Sequence, residues 1–289
     1  MVKVSVIMPH FEDLNGLSKC LAALDAQTYP REQFEIVVGD NRSPCGPDRV
    51  AAVIAGRARL VVVEDRGAGP ARNGAVAASS GEILAFTDSD CVPEPQWLSA
   101  GLAALERYDF VGGRVDVLVD DPAQPTAAEA FERVFAFNFE DYILRKGFTG
   151  SGNMFVSRAV FDRVGGFRTG VSEDAEWSFR ARGMGYRLGY APDAVVGHPA
   201  RRSWSELRAK GLRINSETYQ LMLGQPRGRL RWLARSLAMP LSAVAHTPKV
   251  LRSAKLPSFS SRLGALGMLY RLRAWRFLDG SKLFFGLRK

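Results

Sequence analysis

Asp88 and Asp90, one residue apart, follow directly on the apolar run in GEILAFTD and are the first candidates for chemistry. Paired carboxylates at a strand's end are hard oxygen ligands that suit Mg2+ or Mn2+ clamping a diphosphate. Such an ion would neutralise charge developing on a departing nucleoside diphosphate. Asp-Ser-Asp equally suits a turn or a helix cap. Asp40 ends the run EIVVGD, where it could accept hydrogen bonds from a nucleobase or ribose, or simply close an Asx-turn. Ser172-Glu173-Asp174 precedes a helical pattern over 175–182. It reads either as a carboxylate base for an attacking hydroxyl or as an N-cap with acids in the first turn. Spacing alone does not choose. The stretch GAGPARNGA (67–75) lacks the GK[ST] ending of a Walker loop and the G-x-G-x-x-G spacing, although its Arg72 could reach a phosphate. His198 ends AVVGH and suits either a structural role or a third metal ligand; His10 and His246 carry little information.

The elements that must position these residues follow from apolar patterning. Val- and Ile-rich runs over 4–9, 34–40, 59–65 and 82–88 predict strands. The spacing of Leu17, Leu21 and Leu24 predicts a helix over 14–27, and small residues suit a tightly packed helix over 70–78. Strands alternating with helices imply a parallel sheet covered on both sides, with ligands beyond the carboxyl ends of its strands. Those ends carry Pro9-His10, Asp40, Glu64-Asp65 and Asp88-Ser89-Asp90. Further on, 110–119 predicts a strand pair, 127–144 an amphipathic helix, 157–164 a short helix and 187–198 a strand. Then come a helix over 204–223, a basic-apolar stretch over 228–246 and a final basic amphipathic segment.

With 289 residues and 46% hydrophobic content, the chain can bury a full core, as one large α/β domain or a domain with a helical appendage. Cys20, Cys45 and Cys91 lie far apart, which reads as reduced thiols of a cytoplasmic protein rather than a disulfide framework or a zinc site. The N-terminal MVKVSVIMPHF reads as a first strand rather than a leader, and no apolar window reaches the length of a spanning helix. A soluble or peripheral protein is expected. Charge is uneven: residues 200–289 hold 19 Lys+Arg against 3 Asp+Glu, and the first 199 hold 20 against 27. The basic end calls for an anionic partner. A nucleic-acid partner would account for the pI of 9.7, but it leaves the strand-end carboxylates unexplained, and they would repel phosphates.

Taken in order, SVIMPHFED, EIVVGDNRS, GPARNGA, GEILAFTDSD, SGNMFVSRAVFDRVGGF and SEDAEWSFRARGMGYRLGYAPDAVVGH resemble the family 2 glycosyltransferases of the GT-A fold, over roughly residues 3–199. The resemblance implies an α/β fold: a Rossmann-like mixed, mainly parallel sheet with helices on both faces, occupying 1–199. Residues 200–289 then form a C-terminal helical extension that lies on a membrane surface or packs on the catalytic part. It implies an inverting transferase moving one sugar, of hexosyltransferase type, from a nucleotide-sugar (a UDP-sugar) to a saccharide or lipid-linked acceptor hydroxyl, with Mn2+ or Mg2+. Pro9 and Phe11 would line the nucleotide site, Asp40 would recognise the base, and Asp65 and Arg72 would lie near the nucleotide. Asp88 would contact ribose or metal, Asp90 would be the principal metal ligand and His198 a further one. Asp174 would be the catalytic base, Glu173 would orient the acceptor, and Asn153 and Trp177 would contact it.

The chain departs from the family pattern in two places. The second-strand motif usually ends in two acids or in Asp-Asn followed by Gly-Ser, and here it is Asp40-Asn41-Arg42-Ser43; no Q-x-x-R-W motif follows Asp174, which favours single transfer over polymer extension. The basic end, where Arg interleaves with Leu, Trp and Phe, suits an anionic membrane. The expected place is therefore peripheral, on the inner face of the cytoplasmic membrane, with a role in polysaccharide or glycolipid assembly and no nucleic-acid partner. A catalytically inactive scaffold and a nucleic-acid-binding protein are the alternatives.

Overall fold

The computed structural model describes residues 3–288. Its strands are β1 (Val4–His10), β2 (Phe34–Asp40), β3 (Arg59–Val62), β4 (Ile83–Thr87), β5 (Val92–Pro93), β6 (Phe110–Leu118), β7 (Asn153–Ser157) and β8 (Leu188–Pro199). β1 is buried at every position, as a central strand covered on both faces must be. It pairs in parallel with β2 on one side and β4 on the other, and β3 extends the parallel half beyond β2. The carboxyl ends of these strands therefore gather at one edge, as parallel pairing requires. The other half runs differently. β7 is antiparallel to both β4 and β6, and β5 is antiparallel to β8, giving the order β3-β2-β1-β4-β7-β6-β8-β5. The sheet is mixed, so purely parallel pairing is confined to the four strands read from the first 88 residues.

The helices of this part are α1 (Leu14–Asp25), α2 (Pro47–Ile54), α3 (Ala68–Ala77) and α4 (Trp97–Leu105). Gly39 of β2 shows why α3 is made of small residues: a Cβ there would meet the carbonyl oxygen of Ala71 at 2.2 Å. α2 was not expected from periodicity, yet its start carries a local signal, Gly46 at positive φ followed by Pro47 at the first helical position.

Two expectations are corrected. Residues 110–119 form one strand, not a pair. Gly112 and Gly113 do not turn the chain; a Cβ would meet Thr149 Oγ1 at 1.9 Å or the Ala194 carbonyl at 2.1 Å, so they are glycines because neighbours approach closely. The helix expected over 127–144 stops at α5 (Ala127–Phe135). Phe137 takes a left-handed φ of 53°, and Asn138 then caps the short α6 (Phe139–Asp141), which runs into a π-turn over Tyr142–Lys146.

The remaining helices are α7 (Arg158–Val164), α8 (Glu173–Gly183), α9 (Trp204–Leu223), α10 (Gly228–Leu251) and α11 (Phe259–Phe284). Two compact units result. One holds the chain up to Asp116 with Asn138–Thr169 and Glu173–His198; the other holds Val117–Phe137, Gly170–Ser172 and the chain from Pro199 on. The second unit is therefore not the chain from residue 200 alone: it also takes Val117–Phe137, which carries α5, and Gly170–Ser172. The apolar face of α5, Ala128, Phe131 and Val134, finds its core among Leu207, Ala243, Leu269 and Leu272.

Within that helical unit, buried Glu132 accepts from Lys210 at 2.8 Å and from the Arg201 backbone N–H at 2.8 Å. Burial opposes its ionisation, but Lys210 and Arg201 outweigh this and hold the carboxyl below its ordinary value. Glu132→Gln leaves the Lys210 ammonium without its counter-charge. We expect a loss of about 3 kcal/mol and a melting temperature lower by roughly 5–10 °C in calorimetry. Because the folded-state pKa is depressed, the charged contribution is present above the ordinary Glu value and lost as pH falls through the folded one. The gap between wild type and variant should therefore close below about pH 4.3. A gap unchanged by acid would rule out this origin.

Candidate active site

The end of β1 meets the end of β2 through a buried cluster. His10 Nδ1 lies 2.8 Å from Asp40 Oδ1, which also accepts from Ser43 Oγ at 2.6 Å, while the Ser43 N–H donates to Asp40 Oδ2 at 3.0 Å. Burial works against the charged carboxylate, but the bonds from Ser43 and His10 prevail and hold it below the usual range. Asp40 is only 1% exposed, so a nucleobase could reach it only by displacing one of these donors. His10, uninformative in the sequence, is the residue that sequence reasoning missed here. Pro9 is buried in β1, whereas Phe11, just past its end, is 53% exposed.

Asn41 ties the next loop down: its Nδ2 donates to the Asp65 carbonyl at 2.6 Å and its Oδ1 accepts from the Gly67 N–H at 2.7 Å. Arg42 sits at a left-handed φ of 56°, which explains why glycine is the usual residue at that position of the pattern. Its guanidinium pairs with exposed Glu64 at 2.8 Å. Asp65 is exposed and lines a shallow depression with Val63, Pro70, Asn73 and Phe167. Asp88, Asp90 and Asp174 do not line it.

Asp88, Asp90, Cys91 and His198 offer donor atoms that all lie within 4.8 Å of one another. Sheet register builds this cluster. Val92 of β5 pairs with Gly197 of β8, which sets His198 beside Asp90, with Nε2 to Oδ2 at 3.5 Å. The two carboxylates are oxygen donors that suit Mn2+ or Mg2+, and the imidazole adds a nitrogen donor. Cys91 stands apart in chemistry. Burial, reinforced by Asp88 and Asp90, pushes its thiol well up, and soft sulfur suits Mn2+ or Mg2+ less well than oxygen does.

Arg72, buried on α3, joins this cluster to the acidic pair at the start of α8. One guanidinium nitrogen donates to Asp88 Oδ1 and the other to Glu173 Oε1, each at 2.5 Å. Burial would discharge Arg72, but Asp88 and Glu173 keep it firmly charged. Glu173 is pushed up, first by burial and then by neighbouring Asp174, with Arg72 opposing. Gly69 makes room for this pairing, since a Cβ there would meet Glu173 Oε2 at 2.8 Å.

Asp174 is held by the turn before β7. Buried Ser151 donates to Asp174 Oδ1 at 2.6 Å, and among the described residues no hydrogen bond is made to Oδ2. At neighbouring Gly152 a Cβ would meet Asp88 Oδ2 at 2.8 Å. The same turn thus abuts a candidate metal ligand and orients the candidate base.

The expected acceptor contacts are corrected. Asn153 is fully buried: its Oδ1 accepts from Trp97 Nε1 at 2.9 Å, and its Nδ2 donates to the Arg114 and Ala194 carbonyls, each at 2.8 Å. Trp177 is fully buried too, edge-on to Phe110 and stacked on Phe161, with Nε1 donating to the Gly165 carbonyl at 2.9 Å. Both hold the core, because each has all its polar atoms satisfied internally and no face left for a ligand.

The family model for glycosyl transferase family 2 matches residues 5–165. The glycosyltransferase AglE of Haloferax volcanii is 34% identical over 228 residues, covering 76% of this chain and 74% of AglE. The probable glycosyltransferase YdaM of Bacillus subtilis is 25% identical over 225 residues, 70% of this chain and 52% of YdaM. Among solved structures, the mannosyltransferase PcManGT from Pyrobaculum calidifontis, in complex with GDP-Man and Mn2+, aligns at a TM-score of 0.55 and 21% identity. It covers 96% of this chain and 73% of that one, and it shares the GT-A fold. With the family model matched over more than half of its length and the strand-end carboxylates gathered in one site, the chain belongs to glycosyl transferase family 2.

Proposed function

We propose that this glycosyltransferase moves a single sugar from a UDP-sugar to a saccharide or lipid-linked hydroxyl with inversion, using Asp174 as base and Mn2+ or Mg2+ held by Asp88, Asp90 and His198. The observation that carries the reading is the Arg72 bridge, which ties Asp88 on the leaving-group side to Glu173 beside Asp174. When bound, the ion supplies Lewis-acid stabilisation of the departing diphosphate. The chain's residues do the rest. Ser151 fixes one oxygen of Asp174 and leaves Oδ2 to take the acceptor's proton. Removing that proton as the hydroxyl attacks the anomeric carbon makes the oxygen nucleophilic. Attack opposite to the leaving diphosphate inverts the configuration, as water attack does in inverting glycosidases. Arg72 keeps a positive charge between three carboxylates, which limits their repulsion while the ion is exchanged. Phe11, exposed at the end of β1, offers a surface for the nucleotide; the next residue, Glu12, donates its backbone N–H to Ser43 Oγ at 2.8 Å, and the Asp40–Ser43 turn and exposed Asp65 supply the further nucleotide contacts.

The basic residues from 200 on support a peripheral position on the inner face of the cytoplasmic membrane, in polysaccharide or glycolipid assembly. Among the described residues no helix is long and apolar enough to cross a membrane. A panel of UDP- and GDP-sugars, assayed for donor turnover with and without Mn2+, tests the proposal. Metal-dependent release of UDP from one UDP-sugar is expected. Turnover of GDP-sugars alone would reassign the nucleotide, and no turnover of any donor would remove the catalytic reading.

A further inference from the structure

α10 is apolar on two opposite sides. Trp232, Ala243 and Val250 are buried on one side. On the other, Leu230, Leu237, Leu241, Val244 and Leu251 are each 43–73% exposed. Their separations of seven, four, three and seven place them along one stripe of a helix with 3.6 residues per turn. Five exposed aliphatic side chains along one stripe form a surface whose hydration is unfavourable, and such patches mark contact sites. Exposed Arg227, Arg231 and Arg252 stand near the stripe. From residue 218 to 278 the chain holds eleven Lys and Arg and no Asp or Glu.

We propose that this outer face of α10 seats in an anionic lipid surface, its aliphatic stripe entering the headgroup boundary and the flanking arginines meeting lipid phosphates. The assignment rests on the peripheral membrane reading above and names the element that makes the contact. Charge complementarity selects the occupant. A second copy of this chain would set Arg227, Arg231 and Arg252 against the same arginines of its own stripe, with no Asp or Glu on α10 to pair them. Nucleic acid would meet a stripe without an aromatic ring on which a base could stack. An anionic bilayer offers both an apolar layer and negative charge, which is what an in-plane basic helix requires.

Flotation of the full chain with vesicles of phosphatidylcholine, alone or with about 30 mol% phosphatidylglycerol, tests the assignment. The chain should float with the anionic vesicles and much less with the neutral ones. The triple variant Leu237→Ser/Leu241→Ser/Val244→Ser should partition at least about tenfold more weakly. Its melting temperature and Mn2+-dependent nucleotide binding should match wild type, since none of the three residues lies in the core or the site. Flotation of the variant equal to wild type would overturn the α10 assignment and leave the peripheral reading standing; no flotation of either would remove both. Self-association in sedimentation, abolished by the triple substitution and without flotation, would assign the face to a second copy instead. As a measurement independent of those substitutions, a polarity-sensitive dye on Leu241→Cys should shift to the blue with anionic vesicles, and an unshifted spectrum would count against burial in lipid.

Discussion

Asp174→Asn should lower kcat by about 10²–10⁴-fold, the range that a positioned general base contributes, while leaving the affinity for nucleoside diphosphate and Mn2+ within about twofold. The substitution is nearly isosteric, and an amide oxygen can still accept the 2.6 Å bond from Ser151, so the turn before β7 keeps its anchor. What disappears is an oxygen able to take a proton from the acceptor hydroxyl. The expected split, chemistry lost and donor binding kept, distinguishes a base from a residue that merely holds the fold. Single-turnover transfer measured beside calorimetric binding of the nucleotide reads both quantities. Turnover within about tenfold of wild type would remove Asp174 from the base role.

Asp90→Ala should abolish the enhancement of nucleotide binding by Mn2+, with an affinity loss of at least about 100-fold in the presence of the ion and little change without it. Asp90 is one of two carboxylates in a cluster that offers a divalent ion few other hard donors, since Cys91 offers soft sulfur and His198 supplies nitrogen. Its side chain is 35% exposed, so truncation leaves no buried hole and the melting temperature should hold. Titrating nucleoside diphosphate with and without Mn2+ compares the two states directly. An undiminished metal effect in the variant would place the ion elsewhere.

His198 illustrates how the site was only partly legible. A lone histidine at a strand's end gives no hint of its partner, and Asp90 lies over a hundred residues earlier. The two meet because β5, only two residues long, pairs antiparallel with β8. Nothing in residues 92 and 93 announces a strand. Arg72 is similar: its place in an alanine-rich helix was readable, but a guanidinium shared between Asp88 and Glu173 needs three segments to converge. Asn153 and Trp177 went the other way. Polar or aromatic residues near the acidic motif look available on paper, and burial makes them core ties.

Alone, the sequence determined the elements whose causes are local: the largely apolar β1, the alternation that makes β1–β4 parallel, the small-residue α3 and the acids closing β2 and β4. Period and end residues act over a few positions, so they survive being read without context. It also determined the family, because several weak motifs recur in one order. Only the tertiary structure decided the antiparallel half of the sheet, the single strand through Gly112-Gly113, the break after α5 and its move to the C-terminal helices. The same is true of the Asp40–His10 lock and the gathering of Asp88, Asp90 and His198. Those depend on register and on which atoms approach closely across long loops, and such contacts are set by packing of the whole chain rather than by any stretch of it.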